Sequence, residues 1–152
     1  MKKIKRNSES NNAVFLIGYL GLIPFILLTV GIWFLPVKYN YLMEEYFVLY
    51  LSLITSFLSS IYWGAILFSK KNKKSNFVFI LAVTPLVIIF IVSLLELKIS
   101  LTLFIYLLLL NIIFFFEKIF KDFMNIPMWY LKLRSQLNLT LSIVIILFIF
   151  KL

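Results

Sequence analysis

Five apolar stretches constrain this chain more than any other feature of its sequence. A helix that crosses the hydrocarbon core of a bilayer, about 30 Å thick, needs about 20 residues. The fifth stretch is the weakest, because its predominantly apolar part, residues 137–150, would span only about 21 Å as a helix. We predict that it begins earlier, after Pro127. The predicted membrane helices cover residues 13–35, 46–68, 77–95, 99–116 and 129–150.

Composition supports the same class of protein. Hydrophobic residues make up 63% of the chain and charged residues only 14%, whereas soluble domains are about half apolar and about a quarter charged. A water-soluble fold would leave much of this apolar surface exposed. The sequence therefore predicts one integral membrane domain over residues 1–152, an all-α polytopic transmembrane bundle of about five helices.

The basic residues predict how this bundle is oriented. Twelve of the 15 lysine and arginine residues lie in the N-terminal tail, between helices two and three, or between helices four and five. Cytoplasmic loops carry an excess of basic residues, so we expect a cytoplasmic N-terminus and an outside C-terminus in a bacterial-type inner membrane. The same loops should attract anionic lipids. A nucleic-acid partner is disfavoured, because these lysines lie in short loops without a recognition fold.

The connection between helices four and five, "EKIFKDFMNIPMWYLKLR" at 117–134, has two interpretations. It could lie along the membrane interface, with its aromatic side chains towards the lipid and its lysines towards water. It could equally extend the two helices beyond the hydrocarbon. In both cases we expect four side chains in the headgroup zone, where long basic side chains snorkel. These interfacial residues are Trp129, Tyr130, Lys132 and Arg134.

The residue inventory leaves few places for catalysis. The chain contains no histidine and no cysteine, which excludes imidazole bases, thiolate nucleophiles and the usual zinc or haem ligands. All six acidic residues fall in tails, loops or helix ends of the predicted topology. We therefore predict a protein without catalytic, metal-binding or cofactor-binding residues. Asn111, a polar residue within helix four, is interpreted as a packing contact between helices.

Hydroxyl side chains form a stripe along helix two. On a helical wheel Ser52, Thr55, Ser56 and Ser59 share one face. Helix one offers small residues, which permit close approach of two helices, so we predict that the two surfaces pack together. The alternative is that the stripe lines a polar cavity or ligand groove. The candidate residues for this contact or groove are Gly18, Gly21, Pro24, Ser52, Ser56, Ser59, Ser60, Trp63 and Gly64.

Three segments carry a family resemblance. "LIGYLGLIPF", "SFLSSIYWG" and "PMWYLKLRSQLNLTLSI" resemble the signature regions of the DUF3429 family, which includes TMEM69-like proteins. In that family the second motif usually has two glycines, and then His or Arg before Trp-Gly. Here those positions hold Ser59, Ser60 and Tyr62. The resemblance implies a small multi-span membrane protein and no particular reaction.

Together these features predict a non-catalytic protein of the inner membrane that serves in helix packing or as a partner or assembly subunit. Its partner would be another membrane protein or a second copy of the chain. The alternative function is a small-solute or lipid-handling transporter formed by oligomerisation.

Overall fold

The computed structural model describes residues 12–67, 75–122, 124 and 126–152. Within these ranges the chain forms five helices and no strand, which confirms the all-α prediction. The helices are α1, Asn12–Phe34; α2, Asn40–Leu67; α3, Ser75–Leu94; α4, Ile99–Ile119; and α5, Met128–Ile149. Eight of the basic residues on which the predicted orientation rests, at 2–6 and 70–74, lie outside the described residues, so the orientation stays a prediction.

Proline determines the shape of α1. The helix consists of two segments, 12–20 and Ile23–Phe34, which are separated by a turn at 21–22. Pro24 causes this break, because it lacks an N–H and its ring clashes with the carbonyl four residues earlier. The second segment ends at Phe34, because Leu35 precedes Pro36 and adopts an extended conformation.

Two helices are longer than their apolar segments indicate. The sequence predicts that α2 begins at residue 46, but it begins at Asn40, directly after a 3-10 turn over Val37–Tyr39. The predicted end of α4 at residue 116 is also too early, since that helix continues to Ile119. Many polar residues also form helices readily, so a helix can continue beyond its apolar segment. Hydropathy therefore identifies the part of a helix that can lie in a membrane, but it does not identify the ends of the helix.

Four of the helices, α1, α2, α4 and α5, are long and apolar enough to cross a membrane. The chain is therefore an integral membrane protein. The described apolar part of α3, Phe79–Leu94, is shorter. This helix contains Pro85 in its interior.

Helix α2 lies at the centre of the bundle and contacts α1, α3 and α4, while α5 packs against α4 and α1. The core includes a stack of Phe47 on Phe148, with ring centroids 4.0 Å apart, and Phe25 meets Phe47 edge-on at 5.3 Å. A short turn joins α3 to α4, and Glu96 within it has a φ of 45°. The two helices then make few contacts. Sparse packing between α3 and α4 leaves an open groove beside α2.

Candidate functional site: a buried ion pair beside an apolar cavity

An ion pair is buried between α4 and α5. The Nε atom of Arg134 lies 3.2 Å and 3.1 Å from the two carboxylate oxygens of Glu117. Both side chains are almost fully enclosed, with 6% of Arg134 and 1% of Glu117 exposed. Helix α5 packs against α4, and the last turn of α4 faces the early turns of α5. A buried charge is stable only when it is paired.

A second polar contact lies further along the same two helices. Asn138, on α5, donates a hydrogen bond from its side-chain nitrogen to the side-chain oxygen of Asn111, on α4, over 3.0 Å. Asn111 donates in turn to the carbonyl of Leu107 at 2.8 Å and to the hydroxyl of Ser142 at 3.4 Å. Asn111 thus joins α4 to α5, as its interpretation as a packing contact predicts.

Two polar atoms in this region lack partners. The Nη2 atom of Arg134 and the Oδ1 atom of Asn138 are buried and make no hydrogen bond within the part of the chain that the structure describes. Leaving such a donor or acceptor unsatisfied costs about 1–3 kcal/mol each. Buried groups of this kind call for an explanation, and a bound molecule is one.

Both residues line a cavity of about 530 Å³ between α1, α2 and α5. This volume lies within the range of small-molecule sites, about 300–1,000 Å³. Apart from Arg134, Asn138 and the half-buried Tyr130, the walls are predominantly apolar. The apolar walls include Ile17, Gly18, Ile54, Leu58, Leu137 and Leu141. The arrangement is a mostly apolar chamber, and two of the residues that line it each carry an unpartnered polar atom.

Tyr62 fastens α2 to α4 close to the ion pair. Its hydroxyl donates a hydrogen bond of 2.6 Å to the carbonyl of Ile113, one helical turn before Glu117. The side chain is only 3% exposed and packs with Ala82 and Met124. This contact holds one wall of the cavity against the helix that carries the carboxylate.

Comparison with known proteins agrees with this architecture. The family model described as "Protein of unknown function (DUF3429)" matches residues 10–150. The chain belongs to the DUF3429 family. The resemblance carried by the three sequence motifs is thereby confirmed. Neither curated proteins nor solved structures yield a match.

In this DUF3429 chain the glycine-rich motif of α1 does not pack on the serines of α2. A Cβ atom at Gly18 would lie 3.0 Å from a methyl carbon of Leu137, so the close approach of α1 is to α5. Gly21 accepts a hydrogen bond of 3.1 Å from the Tyr50 hydroxyl through its carbonyl, which the break at Pro24 leaves accessible.

The predicted contact between the serine stripe and α1 is therefore wrong. Helix α2 faces α1 through Tyr50, Ile54 and Leu58, which lie away from the stripe. The hydroxyls of Ser59 and Thr55 are buried and bond to backbone carbonyls of their own helix. In a membrane helix the lipid-facing side is apolar too, so a helical wheel does not show which side packs inward.

The other residues of the stripe lie in two different surroundings. Ser52 and Ser56 face the groove between α2, α3 and α4, whereas Ser60 is exposed and bonds to the carbonyl of Phe57. Trp63 is 46% exposed and meets the ring of Phe79 edge-on at 4.9 Å. A Cβ atom at Gly64 would meet none of the described residues within 4 Å, so no close contact with them requires that glycine.

The four predicted interfacial residues separate in the structure. Lys132 is exposed, and Trp129 is half-buried with its ring 6.0 Å from that of Phe15. Tyr130 is half-buried and lines the cavity. The expectation that Arg134 snorkels to the headgroups is wrong, because its guanidinium is buried against Glu117. The paired carboxylate, inside the bundle, stabilises the charge there.

Sequence reasoning missed Glu117 and Asn138. Asn138 could have been found from its spacing in the sequence. Arg134, Asn138 and Ser142 are polar residues that follow one another at intervals of four within an otherwise apolar helix. Residues at this spacing share one helix face. Glu117 could have been found from the short connection between α4 and α5. An antiparallel pair joined in this way brings an acidic residue near the end of α4 close to a basic residue near the start of α5.

Proposed function

We propose that this protein is a non-catalytic member of the bacterial inner membrane that binds a neutral amphiphile between α1, α2 and α5. One observation carries the proposal: Arg134 and Asn138, whose Nη2 and Oδ1 atoms lack partners among the described residues, both line an otherwise mostly apolar cavity. The lack of histidine and cysteine supports a role in binding and not in chemistry.

The two free atoms specify the head of the ligand. A hydroxyl group can accept a hydrogen bond from Nη2 of Arg134 and donate one to Oδ1 of Asn138. Glu117 already balances the charge of Arg134, so the head needs no charge of its own. The apolar walls suit an alkyl or acyl chain, whose burial contributes about 0.8 kcal/mol per methylene group.

The rim of the cavity suggests how such a ligand enters. Ile17 is 68% exposed and Phe57 is 64% exposed, and both line the cavity. In a bilayer, exposed apolar side chains of this kind contact lipid, so an amphiphile would enter sideways between α1 and α2. This favours the lipid-handling alternative, here without oligomerisation, over a helix-packing, partner or assembly role.

The test uses the full chain in dodecyl maltoside and two probes, 1-decanol and decane. Binding to the folded state raises its unfolding temperature, so we expect stabilisation by 1-decanol and little by decane. Ile54→Trp places bulk in the cavity and should abolish the shift. Leu53→Trp is the matched control, because Leu53 is 58% exposed and does not line the cavity. Equal shifts for both probes, or for both variants, would contradict the proposal.

A further inference from the structure

A second, larger cavity lies at the opposite end of the bundle from Glu117. It is a groove of about 980 Å³ between α2, α3 and α4. Three carboxylates line it: Glu44 and Glu45 in the first turns of α2, and Glu96 in the turn between α3 and α4. Among the described residues, none of the three lies within 4.0 Å of a basic nitrogen. Within the described part of the chain, no ion pair neutralises the carboxylates of this groove.

Buried hydroxyls point to a polar ligand in the same groove. Tyr106 is 1% exposed and Thr102 is 8% exposed, and both line the groove from α4, four residues apart. Neither hydroxyl makes a hydrogen bond in the described part of the chain. Neither hydroxyl oxygen is among the fully buried, unpartnered polar atoms of the described residues, so each is accessible from the groove and can accept from a donor there.

The rest of the wall combines further hydroxyls with apolar surface. Ser52 and Ser56 face the groove from α2. Ile89 and Phe90 of α3 provide apolar surface opposite them. A ligand that matches these walls has several hydrogen-bond donors on a positive head and an apolar chain behind it.

A metal ion does not fit the carboxylates. In the described ranges no group of three acidic side chains is close enough to hold one. An organic cation can instead place its charge beside one or two carboxylates and donate hydrogen bonds to the hydroxyl oxygens. Among common organic cations, a primary ammonium offers three donors at a compact positive charge.

We infer that the groove between α2, α3 and α4 is a binding site for a primary alkylammonium group. The positive head lies beside one or two of the carboxylates of Glu44, Glu45 and Glu96 and donates to the hydroxyls of Thr102 and Tyr106. The alkyl portion lies against α3. This site is separate from the cavity at Arg134, and its ligand differs in charge.

The experiment measures hexylammonium binding to the full chain in dodecyl maltoside by calorimetry. We expect binding by the wild-type protein, and a loss of affinity of about tenfold or more when Glu44, Glu45 and Glu96 are all replaced by Gln. Asp122→Asn is the matched control, since Asp122 is exposed and lies outside the groove. Hexyltrimethylammonium keeps the charge but has no N–H donor, so it should bind more weakly than hexylammonium.

Tyr106→Phe provides a second variant that keeps all three carboxylates. It should weaken hexylammonium binding several-fold and leave the response to 1-decanol unchanged, which separates this site from the cavity at Arg134. Absence of binding by the wild-type protein, or equal affinities of the wild type, the triple variant and Tyr106→Phe, would overturn the inference. If added phosphatidylethanolamine competes with hexylammonium, the result would support the site and would identify a lipid headgroup as the source of the ammonium group. Binding without that competition would support it with a free amine.

Discussion

The Nε atom of Arg134 donates to both carboxylate oxygens of Glu117, at 3.2 Å and 3.1 Å. An arginine fork commonly uses two nitrogen atoms against a carboxylate. Here the second nitrogen, Nη2, is left without a partner among the described residues, and the side chain lines a cavity. The ion pair thus neutralises the charge of Arg134 between α4 and α5. It also leaves Nη2 of Arg134 as an unused donor in a residue that lines the cavity with α1 and α2.

The ion pair should make a single neutralising change costly. Glu117→Gln leaves the Arg134 charge buried without its counter-charge, so we expect a loss of about 3 kcal/mol in the free energy of unfolding. The double variant Glu117→Leu with Arg134→Leu should lose less, because no isolated charge remains. Denaturant titration in detergent would measure both. Asp122→Asn serves as the control, and a loss for Glu117→Gln no larger than for this control would refute the prediction.

Gly18 and Gly64 should respond differently to the same substitution. A Cβ atom at Gly18 would lie 3.0 Å from a Leu137 methyl carbon, whereas one at Gly64 would meet no atom of the described part of the chain within 4 Å. Valine at position 18 would overpack the contact between α1 and α5, with an expected loss of about 1–3 kcal/mol. Gly64→Val should change the unfolding temperature little. Similar losses of stability at both positions would contradict the prediction, because they would show that the contact with α5 does not restrict the size of the side chain at position 18.

Ser59 should tolerate loss of its hydroxyl better than added bulk. Among the described residues its hydroxyl bonds only to the carbonyl of Ser56, and the side chain is 1% exposed. Ser59→Ala should therefore be nearly neutral, and Ser59→Leu should cost about 1–3 kcal/mol. The neighbouring Ser60 is exposed, so Ser60→Leu is the control and should have little effect. Thermal unfolding in detergent measures all three, and a stable Ser59→Leu variant would contradict the tight packing.

The predicted orientation can be tested with single cysteines in this thiol-free chain. Lys98 precedes α4 and Asp122 follows it, and both are exposed. With a cytoplasmic N-terminus, Lys98→Cys should react with a membrane-impermeant maleimide on intact cells. Asp122→Cys should react only after the membrane is permeabilised. The reverse pattern would invert the orientation, and equal labelling of both in intact cells would contradict the predicted crossing by α4.

The helical class could be predicted from the sequence, because a bilayer restricts spanning chains to helices or closed barrels and sets their apolar length. Pro24, Pro36 and Pro127 act locally, through a missing N–H and a restricted φ. The helix boundaries at Pro36 and Pro127 could therefore be anticipated, whereas the sequence predicts one unbroken helix over 13–35 and misses the break at Pro24. The resemblance to the DUF3429 family could likewise be predicted from three local motifs, and the match of the family model over residues 10–150 confirms it.

Only the tertiary structure decided which faces of the helices meet. Ser59 was expected to face α1, but Ile54 and Leu58 lie there. Arg134 was expected to reach the headgroups, but it turns inward to Glu117. Apolar residues surround membrane helices on every side, so periodicity does not mark the inward face. Whether a charge enters the bundle depends on a partner from another helix, and packing alone brings that partner within reach.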